Sequence, residues 1–214
     1  MSLASNLSLA SFFDTLKIED VSFTPNYHQE LSRAGAELLA ADLAPMSYMA
    51  ELSTVPLAHS EANKVIALLN SRHGALQTLL LCDSAGLYPA ADITGAGWGS
   101  ATPVVGTITN RYVCAFTGFP NNYVITAGDY LQIIYDTSRY YLGQFAESKV
   151  ASGGGEVTAV ELSVALPDLI VGGEAVTMIK PAGKFRITLN SAKKAITYPM
   201  QSVVSFTAEQ TAAK

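Results

Sequence analysis

Charged side chains are scarce in this sequence. Asp, Glu, Lys and Arg make up 14% of its 214 residues, whereas hydrophobic residues make up 49%. Soluble domains usually carry about 25% charged residues. A lone soluble domain this poor in charge would expose an apolar surface, which monomers rarely do. The composition therefore fits two kinds of protein equally well: one partly hidden in an assembly, and a compact β protein with a Ser-, Thr- and Asn-rich exterior.

Clusters of basic residues are also missing. The formal net charge is −5, and the densest basic point is the pair Lys193-Lys194. Tight binding to a phosphate backbone needs a basic cluster. We therefore do not expect nucleic acid as a held ligand.

Histidine and cysteine are few. His28, His59 and His73 have no other His or Cys at a metal-ligand spacing, so neither a zinc site nor a cofactor is expected. Cys82 and Cys114 lie in apolar runs. This context predicts buried thiols in a reducing compartment rather than a disulfide.

Long apolar runs are absent. No stretch reaches the roughly 18 apolar residues that span a bilayer. Residues 1–13 contain no basic residue and no long apolar core, so we expect no targeting signal there. The sequence thus predicts a protein that is made in the cytoplasm, stays soluble and does not insert into a membrane.

Candidate catalytic groups are weak. His59, Ser60 and Glu61 are adjacent, but neighbours at a helix start point in different directions, and Ser60 is a favourable N-cap residue. The glycine-rich segment 95–99 lacks the Lys-Ser/Thr of a phosphate loop, so a loop anchored by Trp98 is expected.

Two acidic residues, Asp129 and Asp136, flank an expected hairpin at positions where Asp is common in turns. We therefore interpret them as turn residues rather than as paired acids. With no clustered nucleophile and base, the sequence predicts a scaffold, not an enzyme.

The first half of the chain predicts a compact strand–helix–strand unit. Residues 46–52 alternate as a strand with one buried face, and residues 61–72 have helical spacing with Gly74 as a C-terminal signal. Residues 77–82 are typical of a strand buried on both faces. Before this unit, residues 12–23 predict one short strand or an arm that packs on a partner, ended by Pro25 and Asn26.

Residues 84–183 have a different character. Short strands separated by Gly, Pro or Asn turns are expected at 107–116, 130–135, 140–146, 157–164 and 175–180. This spacing favours a small barrel over an open sheet. Strands near 185–189 and 203–209 then show the same alternation of apolar and polar residues as the strand 46–52 in the first part of the chain. We therefore expect two domains, a discontinuous core of residues 1–83 and 184–214 and an inserted barrel of residues 84–183.

The expected hairpin 130–142 is rich in tyrosine. Tyr130, Gln132 and Ile134 face one way, and Leu131, Ile133 and Tyr135 face the other. Because both sets are mostly apolar, the hairpin is expected to be covered on both sides, by a barrel interior and by a neighbouring chain. Tyrosine is favoured both in such cores and at protein interfaces.

In this order, the elements resemble a known family. The chain is similar to the distal tail proteins of long-tailed (siphovirus-type) bacteriophages in the order and spacing of seven elements. They are the strand 46–52, the helix 61–72, the strand ending Leu81-Cys82-Asp83, the hairpin entry 127–133, the strand 157–164, the segment 181–189 and the closing segment 203–209. The match covers most of the chain beyond about residue 35.

This resemblance implies a structural virion protein. Members form a ring, typically six-fold, that joins the tail tube to the tip or baseplate hub and lets DNA pass through its lumen. Their core is a β-sandwich with a helix, neighbouring protomers extend each other's sheets, and some members carry an OB-like barrel insert. The family has no catalytic residues. The implied partners are further copies of this chain, the tube protein and the hub protein, and the implied location is the tail tip, after assembly in the host cytoplasm.

From the ring we expect protomer contacts at the core strands and at the tyrosine hairpin. The candidate interface residues are Met46, Tyr48, Met49, Tyr130, Tyr135, Tyr140, Tyr141, Val203, Ser205 and Thr207. An acidic ring suits a DNA channel, because carboxylates repel phosphate. The alternatives are a receptor- or carbohydrate-binding tail-tip protein and a tail tube or tube-terminator protein. A hydrolase is disfavoured by the scattered histidines.

Overall fold

The computed structural model describes residues 6–34 and 37–212. Residues 1–5, part of the segment in which no targeting signal is expected, lie outside this range. The described part is mainly β, with 50% of residues in strands and a single α-helix. That helix has 12 residues, and no helix among the described residues is long and apolar enough to cross a membrane.

The first third of the chain supplies five strands and the helix. They are β1 (Asn6–Leu7), β2 (Ile18–Ala34), β3 (Glu37–Thr54), β4 (Leu57–Ala58), α1 (His59–Asn70) and β5 (Thr78–Cys82). Short 3₁₀ turns lie at Phe13–Thr15 and Gly74–Leu76.

The middle of the chain supplies eight short strands. They are β6 (Val104–Asn110), β7 (Val113–Thr117), β8 (Val124–Ile125), β9 (Tyr130–Tyr135), β10 (Arg139–Gln144), β11 (Lys149–Val150), β12 (Val157–Glu161) and β13 (Val176–Thr177). A third 3₁₀ turn lies at Ala96–Trp98.

The last third supplies β14 (Ala182–Ile187), β15 (Lys193–Tyr198) and β16 (Gln201–Gln210). These strands join those of the first third in one sheet of order β1-β5-β14-β16-β3-β2, with β15 and β4 also paired to β16. Only the β1–β5 pair is parallel. The main sheet thus joins both halves of the chain around the middle segment, while the exact domain boundaries stay a prediction.

Along β16 and β3 the main sheet has one covered face, whereas β5 and β14 are covered on both faces. On β16, Ser202, Val204, Phe206 and Ala208 are buried, and the residues between them are half-buried or exposed. The Phe12 ring packs on Phe206, and His59 at the start of α1 contacts Ser202. We call this side the helix face and the opposite side the open face. The expected alternation over residues 203–209 is confirmed.

A long hairpin leaves the main sheet. β2 and β3 pair from Ile18↔Thr54 to Ala34↔Glu37, but β16 pairs with β3 only at residues 49–53. Residues 27–34 and 37–45 therefore project beyond the sheet, and we call these two stretches the arm. The expected break at Pro25 and Asn26 is wrong. Pro25 pairs with Tyr48 within β2, an edge strand, where a missing outward N–H costs no ladder bond.

The helix is confirmed, but its ends differ from the expectation. The N-cap is Ala58, without a side-chain cap bond, so Ser60 is not the cap. The reason is that the chain passes directly from β4 into the helix. The helix ends at Asn70, and His73 and Gly74 then take positive φ angles of 53° and 66°.

The middle segment folds into three antiparallel sheets, β12-β7-β6, β10-β9-β13 and β11-β8, and its described residues form no closed barrel. Two isolated bridges, Val104↔Ala175 and Phe145↔Leu162, link the two three-stranded sheets. The expected strand 107–116 is instead the β6–β7 hairpin, which turns at Arg111 and Tyr112.

A bulge changes the face of one strand. Val157 and Val160 are both buried, whereas Thr158 is exposed, because the register shifts between them and Ala159 has a φ of 49°. Strict alternation along the expected strand 157–164 would put Thr158 on the face of Val160, and the bulge puts it on the opposite face.

Candidate assembly surface

Three of the tyrosines expected at the protomer interface are buried within their own chain. Tyr48, Tyr135 and Tyr141 are each at most 4% exposed. Tyr141 donates to the Val164 carbonyl at 2.6 Å, and its burial raises the pKa of its hydroxyl well above the usual value. Burial likewise raises the pKa of Tyr48 to about 12. Side chains this covered offer no area to a partner, so the interface proposed below leaves them out.

The other two tyrosines are half-buried against the core. Tyr130 packs edge-on against Phe23 and Tyr48, with ring centroids 6.3 Å and 6.0 Å apart. Tyr140 lies 5.6 Å below the Lys184 ammonium, which donates to the Ser138 carbonyl at 2.8 Å. The second face of the β9–β10 hairpin is thus covered by the main sheet of the same chain, not by a neighbouring chain as expected.

The remaining candidate interface residues are half-buried. Four of them lie on the open face, because they alternate with buried neighbours on β3 and β16: Met49, Val203, Ser205 and Thr207. Met46 lines a groove at the base of the arm. These side chains keep area available for a partner.

The arm is the most exposed apolar element of the described chain. Five large side chains are more than half exposed there: Tyr27, Leu31, Leu38, Leu39 and Leu43. The register pairs Leu31 with Ala40 and Ser32 with Leu39, which places leucines on both faces of the ribbon. A two-stranded ribbon is marginally stable alone, and an apolar one attracts a cover.

Two of the longer strands at the margins of the main sheet have an open edge. Beyond β3, the described chain gives β2 no second partner strand, and β15 pairs only with β16. Open edges present unpaired backbone donors and acceptors, which template pairing with another strand.

One row of residues crosses the sheet between these edges on the open face. Asp20 pairs with Ser53, Ser53 with Ser205, and Ser205 with Lys193. Asp20 and Lys193 are both exposed. The row therefore ends in opposite charges at opposite edges of one sheet.

Exposed apolar side chains also surround β15. They are Leu189 at 69%, Ile196 at 72% and Met200 at 76% exposed, on β15 itself or in the loops that flank it. They share this side of the molecule with Lys193 and Lys194, so the β15 side is apolar and basic.

A groove runs between the arm base and the middle segment. One part, about 320 Å³, is lined by Tyr27, Leu43 and Arg111 among others, and an adjoining part, about 380 Å³, includes Tyr140, Arg139 and Leu169. Arg111 lies 2.9 Å from the Asp168 carboxylate at the junction.

The adjacent His59, Ser60 and Glu61 do not form a triad. His59 Nδ1 lies 2.6 Å from the hydroxyl of Ser202, which is fully buried and out of reach of a substrate. Glu61 points to Lys17 at 3.7 Å. The pair His59–Ser202 ties α1 to β16 and is structural.

The acidic turn residues behave as expected. Asp129 is 7% exposed, and its two carboxylate oxygens accept hydrogen bonds from the Ala90 and Thr126 amides, both at 2.8 Å. Asp136 starts the β9–β10 turn with a φ of 42° and lies 3.3 Å from Arg139.

The glycine-rich loop is anchored by Trp98, which packs edge-on against Phe119 and Tyr123, and its amide donates to Asp92. The anchoring role expected for Trp98 is confirmed.

Both thiols are free and buried, as expected. Burial raises the pKa of Cys82 and of Cys114 to about 12. Within residues 6–34 and 37–212, no group of His, Cys, Asp and Glu side chains could hold a metal ion.

Sequence reasoning considered an arm only at residues 12–23, and it missed both the arm at residues 27–34 and 37–45 and the two open edges. The only sequence feature that pointed to the open edges was their charge. β2 carries the acidic pair Glu19-Asp20 near its start, and β15 begins with the basic pair Lys193-Lys194. Comparison of the sequence with protein-family models and with curated proteins gives no match.

Proposed function

We propose that this chain is a structural virion protein that forms a ring at the distal end of a long-tailed phage tail. The ring joins the tail tube to the tip or hub and lets DNA pass. The order of strands, helix and inserted strands that underlies the resemblance supports this proposal.

The arm is the observation that carries it. Its leucines lie on both faces of a ribbon that nothing in the described chain covers. Exposed apolar area on this scale is stable in solution only when another surface buries it. A ring supplies that surface in every copy, because each protomer receives the same contact that it gives.

The middle segment fits an OB-like barrel inserted in a discontinuous β-sandwich core. The isolated bridges join the edges of the two three-stranded sheets. One bridge links the β6 edge to the β13 edge, and the other links the β12 edge to the β10 edge. This linkage supports a small barrel with two weak seams. The core–insert contacts at Tyr130 and Lys184 would hold that barrel against the core.

The open face is the proposed lumen wall. Its solvent-accessible carboxylates in the described chain are Asp20, Glu51 and Glu209, and its accessible basic residues are Lys193 and Arg186, because Lys184 on the same side of β14 is buried. An acidic excess keeps DNA from sticking, because like charges repel.

The experiment measures assembly directly. Light scattering of the purified full-length chain should give a mass several times that of one chain, 22.6 kDa. Negative-stain images should show closed rings, and a labelled antibody should mark the tail tip of purified virions. A single-chain mass at every concentration, with no label on tails, would contradict the proposal. Filaments formed by the protein alone would indicate a tube protein instead.

The groove favours a second candidate function, carbohydrate binding at the tail tip. Its larger part combines the half-buried Tyr140 ring with the polar side chains of Arg139 and Gln210. Aromatic and polar groups together suit a sugar. Binding to a glycan array, lost in a Tyr140→Ala variant, would support it, and no binding to any glycan would exclude it.

A further inference from the structure

We propose that the free edge of β2 in one copy pairs antiparallel with the free edge of β15 in a second copy, with Asp20 beside Lys193. This rests on the proposed ring and specifies which two edges meet and which charges select them. Its occupant is a second copy of this chain.

The open face supplies the first argument. Asp20 and Lys193 end one row, Asp20–Ser53–Ser205–Lys193, separated by three strand spacings. Neighbouring strands lie about 4.8 Å apart, so the two charges are roughly 14 Å apart within a copy. They cannot pair within one chain. If the row continues into a second copy, Lys193 becomes the direct cross-strand neighbour of Asp20, and opposite charges in that position attract.

The helix face supplies the second argument. On β2 the half-buried Val21 lies on this face, one residue from Asp20. On β15 the 72% exposed Ile196 lies on the same face, since it pairs with the buried Ser202. With Asp20 beside Lys193, Val21 comes opposite the half-buried Ala192, and Ile196 comes opposite the residues that precede Asp20. The pairing would therefore cover apolar side chains on the helix face while it joins charges on the open face.

The directions of the strands supply the third. β2 is antiparallel to β3, β3 to β16 and β16 to β15, so β15 runs opposite to β2. When β15 of a second copy lies beside β2, the two strands therefore run antiparallel, and strand directions keep alternating across the joined sheet. Because each copy has one edge of each kind, the contact is head-to-tail, and head-to-tail contacts close into rings when the rotation permits.

Charge reversal tests the pairing. In light scattering, Asp20→Lys alone and Lys193→Glu alone should each reduce the multimer to the single-chain mass, 22.6 kDa. The double variant D20K/K193E should recover the wild-type mass, because the swapped charges again attract. Glu156→Lys, an exposed residue of the middle segment, changes the charge equally and should leave the mass unchanged. Circular dichroism checks that each variant is folded.

Mixing the two single variants gives a sharper test. At one contact the D20K copy offers its unchanged Lys193 to the unchanged Asp20 of the K193E copy, and at the other the two substituted side chains meet. An equimolar mixture should therefore assemble although neither variant does alone.

The outcomes separate the two proposals. A wild type that is a single chain at all concentrations defeats the ring itself. A wild-type multimer whose mass is unchanged by K193E, as expected if the lysines only guard an edge, overturns the edge pairing but leaves the ring. A double variant or a mixture that stays at the single-chain mass also overturns the pairing.

Discussion

Asp129 shows how one side chain fixes a loop. Its carboxylate accepts one amide hydrogen bond from Ala90, in the loop before β6, and one from Thr126, in the turn before β9, so it ties two loops of the middle segment together. An amide in its place offers only one acceptor and turns a donor toward the other N–H. Asp129→Asn should therefore lower the free energy of unfolding by about 1–3 kcal/mol in urea denaturation.

The matched control is Asp136→Asn. Asp136 is a partly exposed turn residue at a positive φ, a conformation that Asn accepts readily. Its substitution should change stability by less than about 1 kcal/mol. Equal losses in the two variants would contradict the clamp assigned to Asp129.

The two thiols predict a pH dependence. Burial raises the pKa of Cys82 and of Cys114 to about 12, above the value of 9.0 for a free thiol. A group whose pKa is raised by folding stabilises the fold below its unfolded pKa, and this contribution is lost as pH rises toward the folded pKa. Stability should thus fall from pH 9 toward 12, by about 1.4 kcal/mol per thiol and pH unit.

Thiol titration checks the same feature. A thiol reagent at pH 8 should modify neither cysteine in the folded protein and both in urea, because only the thiolate reacts. Rapid labelling of the folded chain would show that the thiols are accessible.

Among the elements, the arm gives the clearest prediction. Leu38→Ser combined with Leu39→Ser removes exposed apolar area that makes no contribution to the single chain. The unfolding free energy of the single chain should change by less than about 0.5 kcal/mol per site. The multimer should nevertheless weaken, which dilution in light scattering would show as dissociation at higher concentration.

Val150→Ser is the control, since Val150 is 61% exposed on the middle segment, away from the arm. It should leave the dissociation unchanged. An arm variant that dissociates no more readily than this control would remove the arm from the interface.

At the same scale, sequence patterns predicted the elements whose burial follows a regular pattern, on one face or on both. Alternation gave residues 203–209, helical spacing gave α1, and a continuous apolar run gave β5. The sequence pattern did not predict the arm, because both of its faces are exposed and both contain leucine, so its residues show no amphipathic period. Alternation alone would also misplace Thr158, because a bulge after Val157 inverts the pattern and nothing in the composition marks that bulge.

The whole molecule was harder to predict than its elements. The sequence indicated that both chain ends build one core, since the first and last strands share the same alternation of apolar and polar residues. It did not reveal that the core covers the tyrosine hairpin, because apolar area facing a partner and apolar area facing one's own chain look the same in sequence. The open edges escaped for the same reason, as pairing depends on register between distant residues.

The lumen proposal also belongs to this scale. Glu51 lies exposed on the open face in every copy, so its reversal adds a ring of positive charge to the proposed channel. Assembled Glu51→Lys protein should retard a short DNA duplex in a gel, and raising the salt concentration should abolish the shift. Wild-type protein and the Glu156→Lys control should not retard it. DNA binding by the wild type would refute an acidic channel.

The chain enters and leaves its middle segment at neighbouring points, because Cys82 and Ala182 are direct cross-strand partners. A short turn could connect these two residues without disturbing the ladder between β5 and β14. Gain or loss of the whole middle segment is thus a single exchange at one hairpin tip, which makes it a natural site for grafting other modules. Any replacement would have to shield the aromatic rings of Phe23 and Tyr48 that Tyr130 now covers.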